Sequence, residues 1–362
     1  MAPHRLSRDD ARRIAVRAQL LDADRPGDPV EVAEQLGAIK IDPTSVIAPC
    51  EHTMLWARLG FPYEPGQLAK AVERDRLLLE LDGAFRPMSL LPHLLVELRR
   101  WTERDRIRDW VAANARFRTD VLARLRAEGP LLAAAIPDTA AVARPNDSGW
   151  YSDNQVPRML EVLALQGEVA VSRREGRNRV WDLAERVYPG DLADPTPEEA
   201  RRAMAERRVR AAGIARHSGW TPVRDAGEPV EVEGLQGVWR VDPEALAALD
   251  DDPGGRVAFL NPYDGMLADR RRLDDLFGFH YVLQQFKPKP ERRYGLFAHP
   301  ILLGDRFAGM LEATADRKAG VLHVAAVHEF LPFDEEERES VRAEVLELSR
   351  WLGLPLSDTS DV

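Results

Sequence analysis

Two charged residues, Lys40 and Asp42, sit two positions apart in the alternating run Ile39-Lys40-Ile41-Asp42. A period of two reads as a short strand whose isoleucines face a core, which sets the lysine and the aspartate together on the other face. Pro43 cannot donate to a sheet ladder and ends the strand. Thr44-Ser45 then offers an N-cap, and Val46, Ile47, Met54, Leu55 and Leu59 fit a helix over residues 44–59. The pattern predicts an ammonium and a carboxylate side by side at a strand-to-helix turn. A carboxylate so placed can accept a proton from water or stabilise a cation that develops during a reaction. The same spacing also describes a plain solvated ion pair.

The elements that must position this turn follow from caps and periodicity. Ser7 caps a first helix whose opening turn is acidic, and a second helix over residues 30–36 stops at Gly37, just before the strand. Residues 69–81 and 90–126 read as helices, the latter with Trp101, Trp110 and Phe117 as apolar anchors. A new unit begins near Gly129, with a polar loop at residues 144–149, Trp150 as a core residue and a helix over 154–166. Strands over 168–172 and 179–183 flank a turn. Helix, helix and hairpin in that order is the winged-helix pattern. Arg173, Arg174, Arg177 and Arg179 crowd the hairpin tip, where they serve phosphates or a minor groove, or stand as a solvated loop.

A basic helix over 198–213 and a hairpin within 229–241 resemble a reduced third winged unit. Residues 257–260, 281–287, 294–303, 306–312 and 320–328 read as strands, closed by a helix over 335–352. The predicted architecture is α+β: tandem winged-helix domains followed by a mixed, β-rich C-terminal domain. Its boundaries fall at residues 1–126, 127–190, 191–252 and 253–362.

Composition sets bounds on function. The 362 residues are 44% apolar and 30% charged, as in an ordinary globular protein. No apolar run is long enough for a membrane span, and no signal-peptide core follows the first residues, so a cytoplasmic protein is expected. A single cysteine, Cys50, excludes an internal disulfide. The eight histidines form no His-x-x-x-His pair, so neither metal nor cofactor is expected. The net charge of −10 is unusual for a nucleic-acid partner, yet only five of the fifty basic residues are lysine, leaving arginine forks suited to phosphate.

The stretch from Gly37 to Gly60 resembles the signature of the winged-helix DNA glycosylases that unhook interstrand crosslinks and remove bulky alkylated bases, the YcaQ/AlkZ-like family. There the strand reads Gln-apolar-Asp or Gln-apolar-Gln, and a Leu-Trp/Ser-x-Arg-Leu-Gly run follows. Leu55-Trp56-Ala57-Arg58-Leu59-Gly60 matches that run, Asp42 falls on the catalytic position, and Lys40 stands where the family has glutamine. Leu260-Asn261-Pro262-Tyr263-Asp264, Asp269-Arg270, Lys287-Pro288 and Arg292-Arg293-Tyr294-Gly295 are similar to its C-terminal block. The resemblance implies double-stranded, damaged DNA as partner, a monomer, His52 and Arg58 lining the site, and Arg270 and Arg271 where the array closes on DNA.

The chemistry it implies is hydrolysis of an N-glycosidic bond. An N7- or N3-alkylated purine is already a cationic leaving group, so a carboxylate beside C1′ need only activate water and stabilise the oxocarbenium. Lys40 leaves three readings open. It points away and binds a phosphate; it is a neutral amine nucleophile with Schiff-base lyase chemistry; or the site is inactive and the chain is a non-catalytic DNA-binding or regulatory protein.

Overall fold

The computed structural model describes residues 3–143, 153–218 and 222–357; the loop expected at 144–149 and Trp150 lie outside them. The fold is α+β, built as two compact units, Met1–Gln67 with Ala205–Val362, and Leu68–Met204. This differs from the fourfold division expected from the sequence. The reason is that the N-terminal strand His4–Leu6 pairs in parallel with Glu228–Val232, His4 opposite Val230.

In the first unit that pairing completes a four-stranded sheet, in the order His4–Leu6, Glu228–Val232, Trp239–Val241, Ile214–Arg216. The helix Arg8–Ala18 lays Ala11, Ile14 and Ala15 on it, against Ile214, Val230, Trp239 and Val241. Ser7 and Asp10 form its capping box, as their spacing predicts. A second, antiparallel sheet runs Val257–Phe259, His299–Leu303, Arg306–Asp316, Val321–Glu329. The helix Glu335–Leu352 follows, with a second capping box from Asp334 and Glu337.

One expected strand, 281–287, is absent from this sheet, and the one expected over 294–303 starts only at His299. Residues 281–287 and 294–298 are irregular, with one 3-10 turn at Gln284–Phe286. Pro288 and Pro290 supply no ladder donors, and Gln284 Oε1 accepts the Arg293 N–H at 3.0 Å, which closes the segment on itself.

In the second unit the helix expected over residues 69–81 is helical only to Arg74, and a hairpin follows, Leu78–Leu81 with Ala84–Pro87. Asp82 and Gly83 both take positive φ, 52° and 65°, which a two-residue hairpin turn requires. The long helix expected over 90–126 is three: Leu91–Thr102, Asp105–Ala113 and Ala115–Glu128. The second break falls at Asn114. Its buried amide donates to Trp110 O and Val142 O and accepts from the Ala141 and Val142 N–H groups.

The helix Val156–Gln166 precedes the expected hairpin, Val169–Glu175 with Asn178–Leu183, and Leu131–Leu132 adds a third strand. Eight of its residues are buried, in a core with Leu91, Leu95, Phe117, Val121 and Trp181.

His299 opens the second strand of the C-terminal sheet, 2% exposed, with both ring nitrogens unpartnered among the described residues. Burial pushes its imidazole down to about 4, so the folded protein keeps it neutral. In an unfolded chain the ring takes a proton near 6.5. Its contribution to stability is therefore present above that pH and lost as the pH falls toward 4. Urea unfolding should show a loss of up to ~3 kcal/mol across this window that His299→Leu removes. An unchanged pH dependence in that variant would refute the assignment.

Candidate active site

Gly37, at φ 73°, ends the helix Pro29–Leu36 and turns the chain into the strand. That strand is only Ile39–Lys40, with Ile39 fully buried and Lys40 exposed. The helix expected over 44–59 starts six residues late and runs Cys50–Leu59, with Pro49 at its N-cap. Residues 44–49 instead dock against the Arg306–Asp316 strand and the turn after it. Val46 O accepts from the Ala315 N–H at 3.0 Å, and Ile47 O from Arg317 at 3.3 Å.

Asp42 lies in this turn, half-buried, and its Oδ1 accepts the Thr44 N–H at 2.9 Å. The backbone donor fixes the carboxylate, and among the described residues Oδ2 meets no donor. Among the described residues Lys40 and Asp42 form no ion pair, so the expected side-by-side pair is not present. Two cavities of about 400 Å³ in this unit are lined by neither residue.

Behind the turn the helix is fastened to the C-terminal block. Asn261 Nδ2 donates to Thr53 Oγ1 at 2.8 Å, and its Oδ1 accepts from the Tyr263 N–H at 2.9 Å and from the Cys50 thiol at 3.3 Å. Burial pushes the Cys50 thiol well up, helped by the carboxylates of Asp264, Glu51 and Asp42 and opposed by Lys40. It is a structural thiol, not a nucleophile. Sequence reasoning missed Cys50 and Thr53; only their contact with Asn261, 211 and 208 positions away, reveals them.

Arg58 is 0% exposed. Its Nε donates to Gln19 O at 2.9 Å, Nη1 to Met54 O at 3.1 Å and Asp264 Oδ2 at 2.8 Å, and Nη2 to Gln19 Oε1 at 3.4 Å and Asp264 Oδ1 at 3.0 Å. All five donors of the guanidinium are used. The expectation that Arg58 lines the site is therefore corrected: it clamps the two signature segments together from within the core. His52 is half-buried on the aromatic side of the same helix. Its Nδ1 meets Tyr63 Oη at 2.7 Å, and Trp351 stacks on both Tyr63 and Trp56.

The other expected DNA contacts are less bare than the sequence suggests. Arg173 pairs with Glu175 at 2.6 Å, and Arg174 forms a two-pronged bridge to Glu80, 2.7 Å on each arm. Arg179 reaches Glu161 at 3.0 Å and lies over the Trp181 ring. Arg177, exposed at the tip, meets no carboxylate among the described residues. In the first unit Arg271 is exposed, whereas Arg270 lies 4.3 Å over the Tyr281 ring, half-buried. The next arginine, Arg272, is buried and caps Ile214 O and Ala212 O.

Both ends of the Arg58–Asp264 clamp fall inside one family profile, DNA glycosylase AlkZ-like, which matches residues 33–351. The chain belongs to the AlkZ-like DNA glycosylase family. Its fold is similar to that of a DNA glycosylase AlkZ of Streptomyces sahachiroi, with a TM-score of 0.62 at 17% identity, over 97% of this chain and 99% of that one. In this family member, then, the signature arginine and the aspartate of the Asn-Pro-Tyr-Asp turn are one buried unit. Among the described residues no cluster of His, Cys, Asp or Glu could hold a metal, and no helix is long and apolar enough to cross a membrane.

Proposed function

We propose that this protein hydrolyses the N-glycosidic bond of alkylated or crosslinked purine nucleotides in duplex DNA, with Asp42 as the group that activates water. The observation that carries the reading is the Asp42 turn. One carboxylate oxygen is fixed by the Thr44 N–H, the other meets no donor among the described residues, and the whole turn is anchored through Asn261 and the Arg58–Asp264 clamp. Oδ2 takes the proton of the attacking water, and the charge of the carboxylate stabilises the oxocarbenium forming at C1′. The test is incubation with duplex containing N7-methylguanine and a gel for abasic sites.

Lys40 fits the first of its three readings. It stands in solvent at the strand end, out of ion-pair reach of Asp42, where a phosphate can meet it. A Schiff-base lysine needs burial or a neighbouring cation to become a neutral amine, and this position offers no burial. In this reading the enzyme works as a monomer at the nucleoid, with no cofactor.

The second unit supports a tandem winged-helix arrangement in which the wing, not the helix before it, touches DNA. The helix Val156–Gln166 buries eight of its eleven residues and leaves only Pro157, Glu161 and Gln166 partly exposed, a narrow face for a major groove. Of the wing arginines only Arg177 is uncommitted among the described residues, so Arg177→Ala is expected to lower the slope of log K against log salt by about 0.9. Arg174→Ala should instead destabilise the unit, because Glu80, 5% exposed, is left without its bridge. Anisotropy titrations over a salt series check the first outcome, and a slope equal to wild type in Arg177→Ala would retire the wing as a DNA element.

A further inference from the structure

Many cations of this protein are neutralised by its own carboxylates; one exposed segment of the first unit gathers four that, among the described residues, are not. Residues 282–296 carry Lys287, Lys289, Arg292 and Arg293 against the single acid Glu291. Among the described residues none of the four meets a carboxylate. In their midst Phe286 projects with 70% of its surface exposed, and Val282 and Leu296 are exposed on either side. An aromatic ring left in water beside four unpaired cations, in a chain of net charge −10, is what a polyanion with apolar faces would cover.

The segment is also held stiffly. Pro288 and Pro290 fix two φ angles, Gln284 Oε1 accepts the Arg293 N–H at 3.0 Å, and Arg292 Nε donates to Lys287 O at 3.0 Å. Gln285 donates to the Tyr263 hydroxyl, and Tyr263 leads through Asn261 to Thr53 and Cys50 on the helix that follows the Asp42 turn. Little ordering is left to be done on binding.

We propose that residues 282–296 form a DNA-contacting arm, in which Lys287, Lys289, Arg292 and Arg293 take phosphates and Phe286 wedges into a base step. The inference rests on the proposed action on duplex DNA and adds an element that strains the stack at the damaged nucleotide. A wedge of this kind unstacks one step, and the bases it parts lie against the ring instead. The strain is local, and the phosphate contacts hold the duplex in register while it is made.

The test uses the full chain carrying Asp42→Asn, so that binding is read without turnover, and a duplex with 2-aminopurine beside N7-methylguanine. Binding should raise the 2-aminopurine fluorescence. Phe286→Ala should abolish that rise and weaken binding about tenfold with an unchanged salt slope. Lys287→Gln with Lys289→Gln should lower the slope by about 1.8. All three substituted side chains are outside the core, so melting temperatures should match the parent and certify the fold.

A fluorescence rise that persists in Phe286→Ala, or a slope that is unchanged in the lysine pair, overturns the arm. Base release is assayed separately with Asp42 intact. If it is absent from the wild type the proposed function fails, and if it is present while both arm variants bind like the parent, only the arm fails.

Discussion

The Asp42→Asn variant is expected to fold, bind duplex as tightly as wild type, and release alkylated base about 10²–10⁴-fold more slowly. The structure makes this substitution unusually clean. Oδ1 of Asp42 closes its turn by accepting the Thr44 N–H, and an asparagine carbonyl accepts the same bond, since Asn and Asp form the same turn. What the amide cannot do is take a proton from water through its other arm or bring negative charge to C1′. Single-turnover release of N7-methylguanine separates the two effects, with the melting temperature as control. A variant that keeps release within a few-fold of wild type would remove Asp42 from the chemistry.

Lys40→Gln in the same assay tests how the lysine replaces the family glutamine. A solvent-exposed ammonium that holds a phosphate predicts weaker binding, a salt slope lower by about 0.9, and release at saturating enzyme that is equal or faster. The faster limit follows because a like charge near the oxocarbenium is gone, an effect of ~1 kcal/mol where water screens it. Lyase chemistry predicts the reverse: a dead variant, and a borohydride-trapped adduct in wild type only.

Local signals in the sequence were reliable where one segment decides its own fate. The cap at Ser7, the stop at Gly37, the hairpin over 169–183 and the helix over 335–352 all lie in the structure as patterned. The run Leu78-Leu79-Glu80-Leu81 was misread because all four residues are buried, so no alternation betrays the strand, although Asp82-Gly83 was a turn signal in plain view. Pro49 likewise disfavours helix at Ala48, and Val46 was free to bond the distant Ala315 instead.

The site was legible as chemistry and not as geometry. Lys40 and Asp42 stand out by type, yet the strand ends before it can align them. The arginines of the wing looked free because Glu80 and Glu161, which bind them, lie 94 and 18 positions away. Arginine abundance counts charge, and only the fold shows which charges are spent.

Arg58 is the strongest case, and its removal is the second large effect expected. Arg58→Ala leaves Asp264 as an uncompensated charge, 1% exposed, and strips donors from Gln19 O and Met54 O as well. Breaking a buried pair from one side costs about 3–5 kcal/mol, a large share of the roughly 5–15 kcal/mol that holds a typical protein folded. Adding Asp264→Leu to Arg58→Met removes both charges and should recover part of that loss. Recovery stays incomplete, because the carbonyls of Gln19 and Met54 still lack their donor and the Met266 N–H loses its Asp264 acceptor. Urea unfolding of the two single variants and the double variant gives the coupling energy directly. If Arg58→Ala unfolds like wild type but loses affinity for duplex, the clamp is not what holds this segment, and the arginine reaches DNA after all.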